Sequence, residues 1–205
     1  LSSTGYAIFP GGKGLNQSIA VAEAGCAVTH VGAVGEDGRW LAELMTARGV
    51  DITHLSILDT PTGQAILQID PRGENAIIIL GGANLTPHDH LIDAALADAR
   101  GDEILLIQNE NSGNDAAIRR AKAKGLQVAF NMAPMNASAQ ALPLALIDYF
   151  IINETEGEAL TGKSNPHEIC VAVLEQYPNS AVVLTLGQAG VQFRSAELNL
   201  SQPAY

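Results

Sequence analysis

A chain of 205 residues with 47% hydrophobic side chains has the material for a sizeable core, in one α/β domain or two small ones. Its 22 acidic residues against 11 basic ones leave a net charge of −11. That balance offers no basic footprint for nucleic acid and disfavours an anionic membrane surface, so small molecules are the expected partners.

The elements alternate. Leu1 to Phe9 reads as a short strand, Gly14 to Ala24 as a helix, Val28 to Val34 as a buried strand, and RWLAELMTARG as a second helix. GQAILQID and NAIIIL are β-rich runs separated by PRGE, whose Pro and Gly supply turn dihedrals, so the pair reads as a hairpin. The alternation then resumes with EILLIQ, the helix DAAIRRAKAKG, the strands QVAFNMAP and YFIIN, the helix PHEICVAVLEQY, and the strands AVVLTLG and GVQF. Near-continuous apolar strands joined by helices predict an α/β fold, a doubly wound, mostly parallel sheet with helices on both faces. The hairpin and the first strand do not fit among parallel neighbours and are expected to form a small β lid. The expected division is 11–59 and 81–205 for the core and 1–10 with 60–80 for the lid.

No apolar run reaches the ~18 residues of a membrane span, and LSSTGYAIFP lacks the charged-then-apolar order of a signal peptide. Cys26 and Cys170 have no C-x-x-C spacing, and each sits in an apolar helix or strand pattern as a small hydrophobe. A reducing, cytoplasmic setting is expected.

In an open parallel sheet, ligands bind beyond the carboxyl ends of the strands, where loops and helix N-termini converge. The residues at those positions are rich in amides and carboxylates: Lys13 and Asn16; Glu36 and Asp37; Asn109 and Glu110; Asn131; Asn153, Glu154 and Glu156; and Thr185. Directional donors and acceptors of this kind suit a polyhydroxylated ligand. The run FPGGKGLNQSIAVAEAG puts three glycines around Lys13, directly before a helix. By itself it reads equally as a ligand cradle with open backbone N–H groups or as a plain glycine turn.

Taken in order, GGKGLNQSIAVAEAG, VGAVGEDGRW, ARGVDITHL, PTGQAILQID with GENAIIILGGAN, NE after ILLIQ, NETEGEALTG and TLGQAGV resemble the ribokinase branch of the PfkB carbohydrate kinases. The match runs over essentially the whole chain. The resemblance implies an ATP-dependent kinase acting on the hydroxymethyl group of ribose or a related pentose, with ATP and Mg2+ as cofactors and activation by K+. It implies that Gly11, Gly12, Lys13 and Asn16 hold the sugar hydroxyls and that Glu110 contacts the sugar as well. It places Asn153 beside the ATP phosphates and gives Glu156 the organisation of the metal, largely through water. Thr185, Gly187 and Gly190 line the nucleotide. The lid is expected to cover the sugar and to pair with a second subunit in a homodimer.

Simpler readings stand beside these. Asn153 to Glu156 can be a helix cap, and Thr155 with Glu158 has the spacing of a capping box. Glu110 can accept backbone N–H groups in its own loop. In TPHDH, Thr86 as cap, Pro87 in the first turn and Asp89 after them make an ordinary helix start, in place of a metal cluster of two histidines and Asp89. His30, His54 and His167 have no evident partners in sequence. GEALTGKS, 157–164, satisfies the Walker pattern G-x-x-x-x-G-K-[ST] and would suggest a P-loop nucleotide hydrolase. The expected reading is a chance match, because Glu154, Thr155 and Glu156 intervene after the strand and Glu158 would face phosphate.

The family's catalytic base is an aspartate in a G-A-G-D motif, and its first strand carries an N-x-D motif that grips the sugar. Neither motif occurs in the 205 residues. The expectation is a piece of a longer kinase, without activity alone; a truncated, non-catalytic sugar-binding remnant is the alternative.

Overall fold

A computed structural model describes residues 5–70, 72, 74–86 and 89–204. The chain divides into two compact units, residues 1–95 and 96–205.

The first unit opens with residues 5–12, which carry no regular structure, so the strand expected up to Phe9 is not formed there. Pro10, Gly11 and Gly12 interrupt any ladder, and Tyr6, Ile8 and Phe9 lie exposed. Helix α1 (Lys13–Glu23) follows, then strand β1 (Gly32–Gly35), helix α2 (Arg39–Ala47) and strand β2 (Leu55–Leu58). The strands β1 and β2 pair in parallel as a sheet of their own, Gly32 opposite Leu55 and Gly35 opposite Leu58. Leu15, Val34, Leu41, Met45 and Val50 form the core between these elements. Leu41 and Met45 are four residues apart on α2, which puts both on one face of the helix. Strand β2 escapes the sequence reading because LSIL is short and only half-buried.

The hairpin is present as β3 (Gln64–Ile69) and β4 (Asn75–Leu80), antiparallel, in a two-stranded sheet. Two of its turn residues, Pro71 and Gly73, lie outside the described set, as do Pro87 and His88 of the TPHDH run. Both strands are exposed along their whole length. The register puts Gln64, Ile66, Gln68, Ala76, Ile78 and Leu80 on one face. Ala65, Leu67, Ile69, Asn75, Ile77 and Ile79 occupy the other. Helix α3 (Asp89–Asp98) crosses the boundary between the units.

The second unit holds a six-stranded sheet in the order β10-β9-β8-β7-β6-β5. Its strands are β5 (Ile104–Gln108), β6 (Gln127–Asn131), β7 (Tyr149–Asn153), β8 (Ala181–Thr185), β9 (Val191–Arg194) and β10 (Asn199–Gln202). The first four run parallel, with α4 (Asn114–Ala123) between β5 and β6 and the short α5 (Ala137–Gln140) between β6 and β7. Helices α6 (Glu154–Thr161) and α7 (Pro166–Gln176) separate β7 from β8. Val128, Phe130, Phe150, Ile152, Val182 and Leu184 are all buried, the reason these strands read as continuous apolar runs. The Phe150 and Tyr177 rings meet at 5.0 Å between centroids.

Strands β9 and β10 turn antiparallel. The connection from Thr185 to Val191 is too short for a parallel crossover, which needs a dozen or more residues. Gly190 stands at φ 96°, and a Cβ there would strike the Gln202 carbonyl and the Ala204 amide, so glycine is required for β10 to return past the turn. Cys170 is buried in α7, whereas Cys26 lies exposed after α1, in neither helix nor strand, a correction to its placement in an apolar helix or strand pattern. No helix of the described residues is long and apolar enough to cross a membrane.

Candidate functional site

In the first unit, the glycine run becomes the entry to α1. Gly12 is the residue before the helix, at φ 95° and ψ 137°, a conformation that side-chain-bearing residues rarely adopt. Neither Gly11 nor Gly12 has an atom within 4 Å of where a Cβ would stand, so space in front of the helix is open. No side chain caps α1, and its first turn carries no acidic residue. The N-cap, Gly12, has no side chain that could accept the opening N–H groups. Lys13 occupies the first helical position, where a cation opposes the helix dipole, a placement that helix stability does not explain. Leu15 and Ser18 face the core, and Asn16, about 200° around the helix from Ser18, is exposed.

Beyond β1, a polar junction fastens the base of the hairpin. Thr62 is buried; its hydroxyl and its N–H both donate to Asp37 Oδ1, at 2.7 and 2.9 Å, while Gly35 N–H donates to Thr62 Oγ1 at 2.9 Å. Gln64 Nε2 donates to Asp37 Oδ2 at 3.2 Å. The Thr62 backbone and side-chain hydrogen bonds hold the Asp37 carboxyl below its ordinary range. Asp37 appears in sequence as a strand-end carboxylate, but Thr62 carries no signal that pairs the two across 25 residues.

In the second unit, four parallel strands end on one edge of the sheet, with Gln108 opposite Asn131 and Asn153 opposite Thr185. Glu110 is exposed in the loop after β5. Asn131 Oδ1 accepts Ala133 N–H at 3.2 Å, and Thr185 Oγ1 donates to Ile152 O at 3.4 Å. Gly187 opens the turn after β8, and Gly190 closes it, its carbonyl accepting Leu186 N–H at 2.8 Å.

Asn153 ends β7 and caps α6. Its Oδ1 accepts Glu156 N–H at 2.8 Å, and Glu156 Oε2 accepts Asn153 N–H at 3.0 Å. The capping box is therefore Asn153 with Glu156, which corrects the pairing of Thr155 with Glu158: Thr155 already lies inside the first turn. Glu156 is buried, and the box occupies Oε2. A carboxylate in the first helical turn past a strand, with an amide beside it, suits a magnesium ion that keeps most of its waters.

The Walker-like run falls on α6 and its exit. Gly157 is buried in the middle of the helix, Gly162 ends it in a left-handed conformation, and Lys163 follows exposed. A phosphate loop needs its glycines in the strand-to-helix turn, and here β7 passes into α6 without one. The histidines acquire partners that the sequence did not show: His30 Nδ1 lies 2.8 Å from Ser18 Oγ, and His167 Nδ1 lies 3.0 Å from Arg194 Nη1.

Comparison with known proteins agrees in sequence and in fold. Residues 4–204 match the pfkB family of carbohydrate kinases. A ribokinase of Haemophilus influenzae is 33% identical over 200 residues, covering 93% of this chain and 65% of that protein. The crystal structure of a ribokinase from Cryptococcus neoformans in complex with ADP superposes with a TM-score of 0.84 at 31% identity, covering all of this chain and 71% of that one. The Arabidopsis thaliana ribokinase complexed with ribose and ATP gives a TM-score of 0.76 at 28% identity, over 94% of this chain and 66% of that one. The chain thus spans about two thirds of the length of the relatives it matches. It belongs to the pfkB carbohydrate kinase family and has the ribokinase-like α/β fold with a mostly parallel sheet.

Proposed function

We propose that this chain provides the sugar- and nucleotide-binding parts of an ATP-dependent sugar kinase of the ribokinase type, acting on ribose or a related pentose. The observation that carries the reading is the match to ribokinases over nearly the whole chain, with 33% identity to the Haemophilus influenzae protein. One solved relative holds ADP and another holds ribose and ATP.

Phosphoryl transfer demands alignment of donor and acceptor and neutralisation of the charge on the moving group. In this reading the uncapped N-terminus of α1, with Gly11, Gly12, Lys13 and Asn16, receives the sugar hydroxyls, and Glu110 accepts a further hydroxyl hydrogen. Asn153 would lie by the phosphates, Glu156 would hold Mg2+, and Thr185, Gly187 and Gly190 would form the nucleotide turn. Bound Mg2+ would supply charge neutralisation on the phosphate oxygens. The sugar hydroxymethyl oxygen forms the new bond to the γ-phosphorus as the bond to the β,γ-bridging oxygen breaks. The hydroxyl proton passes to a base that we assign to no residue among the 205.

The hairpin, with 1–10, serves as the lid and 11–59 with 81–205 as the core. Ile66, Leu67, Ile77, Ile78 and Ile79 are each about half exposed or more, on both faces of a two-stranded sheet that is marginal alone. One face covering the sugar and the other meeting a second copy would bury them, which supports a homodimer through the lid. A cytoplasmic location and activation by K+ complete the proposal.

The test is an assay of the full-length protein with ATP, Mg2+ and a panel of ribose, deoxyribose and fructose, read by mass spectrometry of the sugar product. Ribose phosphate is expected to dominate, and no sugar phosphate from any member of the panel overturns the reading.

A further inference from the structure

We infer that Asn109 is a positioning residue for Glu110 and thereby sets the affinity for the sugar; this rests on the reading of Glu110 as a sugar contact. Among the described residues, β5 stands last in the order of the six-stranded sheet and pairs with β6. That ladder ends where Gln108 meets Asn131. Asn109 and Glu110 are the next two residues, at a point where nothing in the strand pairing dictates the path of the chain. A carboxylate that must meet a hydroxyl in one orientation cannot be left on such a segment without loss of alignment.

The Asn109 side chain supplies a constraint from the neighbouring loop. Its amide nitrogen donates to Pro134 O at 2.8 Å and to Asn136 Oδ1 at 3.0 Å, so both N–H groups reach across to the loop after β6. The receiving loop is itself braced. Asn136 caps α5, its Oδ1 accepting Ala139 N–H at 3.0 Å and the Ser138 hydroxyl at 2.6 Å, and Ala139 is fully buried. On the other flank, Asn114 Nδ2 donates to Gln108 O at 2.8 Å, closing 108–114 at its base before α4. Glu110 therefore sits between two amide clamps, one to its own helix and one to the neighbouring strand end.

The chemistry of the clamp restricts what can replace it. Both partners are oxygen acceptors, so leucine, close in shape but without donors, breaks the tether, and aspartate places a charged acceptor against two others. Glutamine keeps the donors one methylene further out.

The experiment compares Asn109→Leu, Asn109→Asp and Glu110→Gln in the full-length protein. It reads KM for ribose, KM for ATP, kcat, and amide hydrogen exchange across 109–113. The expected result for both Asn109 variants is a roughly 5- to 30-fold rise in ribose KM, the scale set by loss of one or two hydrogen bonds. ATP KM should stay within about twofold and exchange at 109–113 should quicken, local readouts that a general loss of folding does not produce. An unchanged ribose KM in folded Asn109 variants, alongside a raised one in Glu110→Gln, overturns this inference alone. Equal losses for ribose and ATP overturn it as well, because the role is then merely structural. A Glu110→Gln protein with unaltered ribose KM, or a wild type that neither binds nor phosphorylates sugar, overturns the underlying reading too.

Discussion

Asn153 and Glu156 hold each other's backbone: Asn153 Oδ1 accepts Glu156 N–H at 2.8 Å while Glu156 Oε2 accepts Asn153 N–H at 3.0 Å. The N-x-x-E motif is thus a capping box in its own right, and any role toward metal is carried by a carboxylate already oriented by the helix start. Structure and chemistry at this position can be separated by substitution. Glu156→Gln retains an oxygen for the Asn153 N–H, so its melting temperature should stay close to that of the wild type, while phosphoryl transfer falls and more Mg2+ is needed to restore it. Glu156→Ala loses the acceptor too and should cost a further ~1 kcal/mol of stability. Full activity of the Gln variant at limiting Mg2+ would remove Glu156 from the metal site.

Asp37 fastens the hairpin through Thr62, and its pKa is lowered chiefly by the Thr62 backbone hydrogen bond. A carboxyl with a depressed folded-state pKa contributes stability that is present above the unfolded value of about 3.9 and is lost as pH falls through the lower folded value. Urea unfolding of the wild type should therefore show an acid-side decline that is shallower in Asp37→Asn, which keeps an acceptor for Thr62 without a titrating group. Parallel pH profiles for the two proteins would show that the charge of Asp37 contributes nothing to the junction.

His30 sits half-buried beside Ser18 on α1, and desolvation by burial lowers its pKa. The sign is the same as for Asp37, for a different reason: the folded protein resists protonation, so stability is intact above the unfolded value of about 6.5 and declines as pH drops below it toward the lower folded value. His30→Gln should flatten the pH dependence of the unfolding midpoint between about 7 and 5. A slope equal to that of the wild type would place the titrating group elsewhere.

Lys163 lies just past the C-terminal glycine of α6, outside any strand-to-helix phosphate turn. Lys163→Ala should leave ATP affinity within about twofold, measured by calorimetry, since a real P-loop lysine contacts the phosphates directly. A large loss would restore the Walker reading of 157–164.

Local chemistry made much of this legible in advance. The hairpin at 64–80 follows from two β-rich runs separated by PRGE, and α7 starts at Pro166 after Asn165, which accepts the N–H groups of His167 and Glu168. The polar ends of β5, β6, β7 and β8 stand out because an amide or hydroxyl interrupts each apolar run. Where the reading failed, a competing local signal won or a signal was too short. Residues 5–9 look β-like, yet no ladder includes them, and the tail after β9 holds a four-residue strand, β10, too brief to register as a pattern.

The sequence by itself determined the alternation of strands and helices and the polar residues that follow the parallel strands. These depend on neighbours within a few positions, where periodicity and capping act. Only the tertiary structure decided that Asp37 meets Thr62 and Asn109 meets Asn136, separated by 25 and 27 residues, and that β1 and β2 pair in a two-stranded sheet of their own. Such pairings arise when folding closes long loops around a common core, and loop closure leaves no periodic trace in the order of the residues.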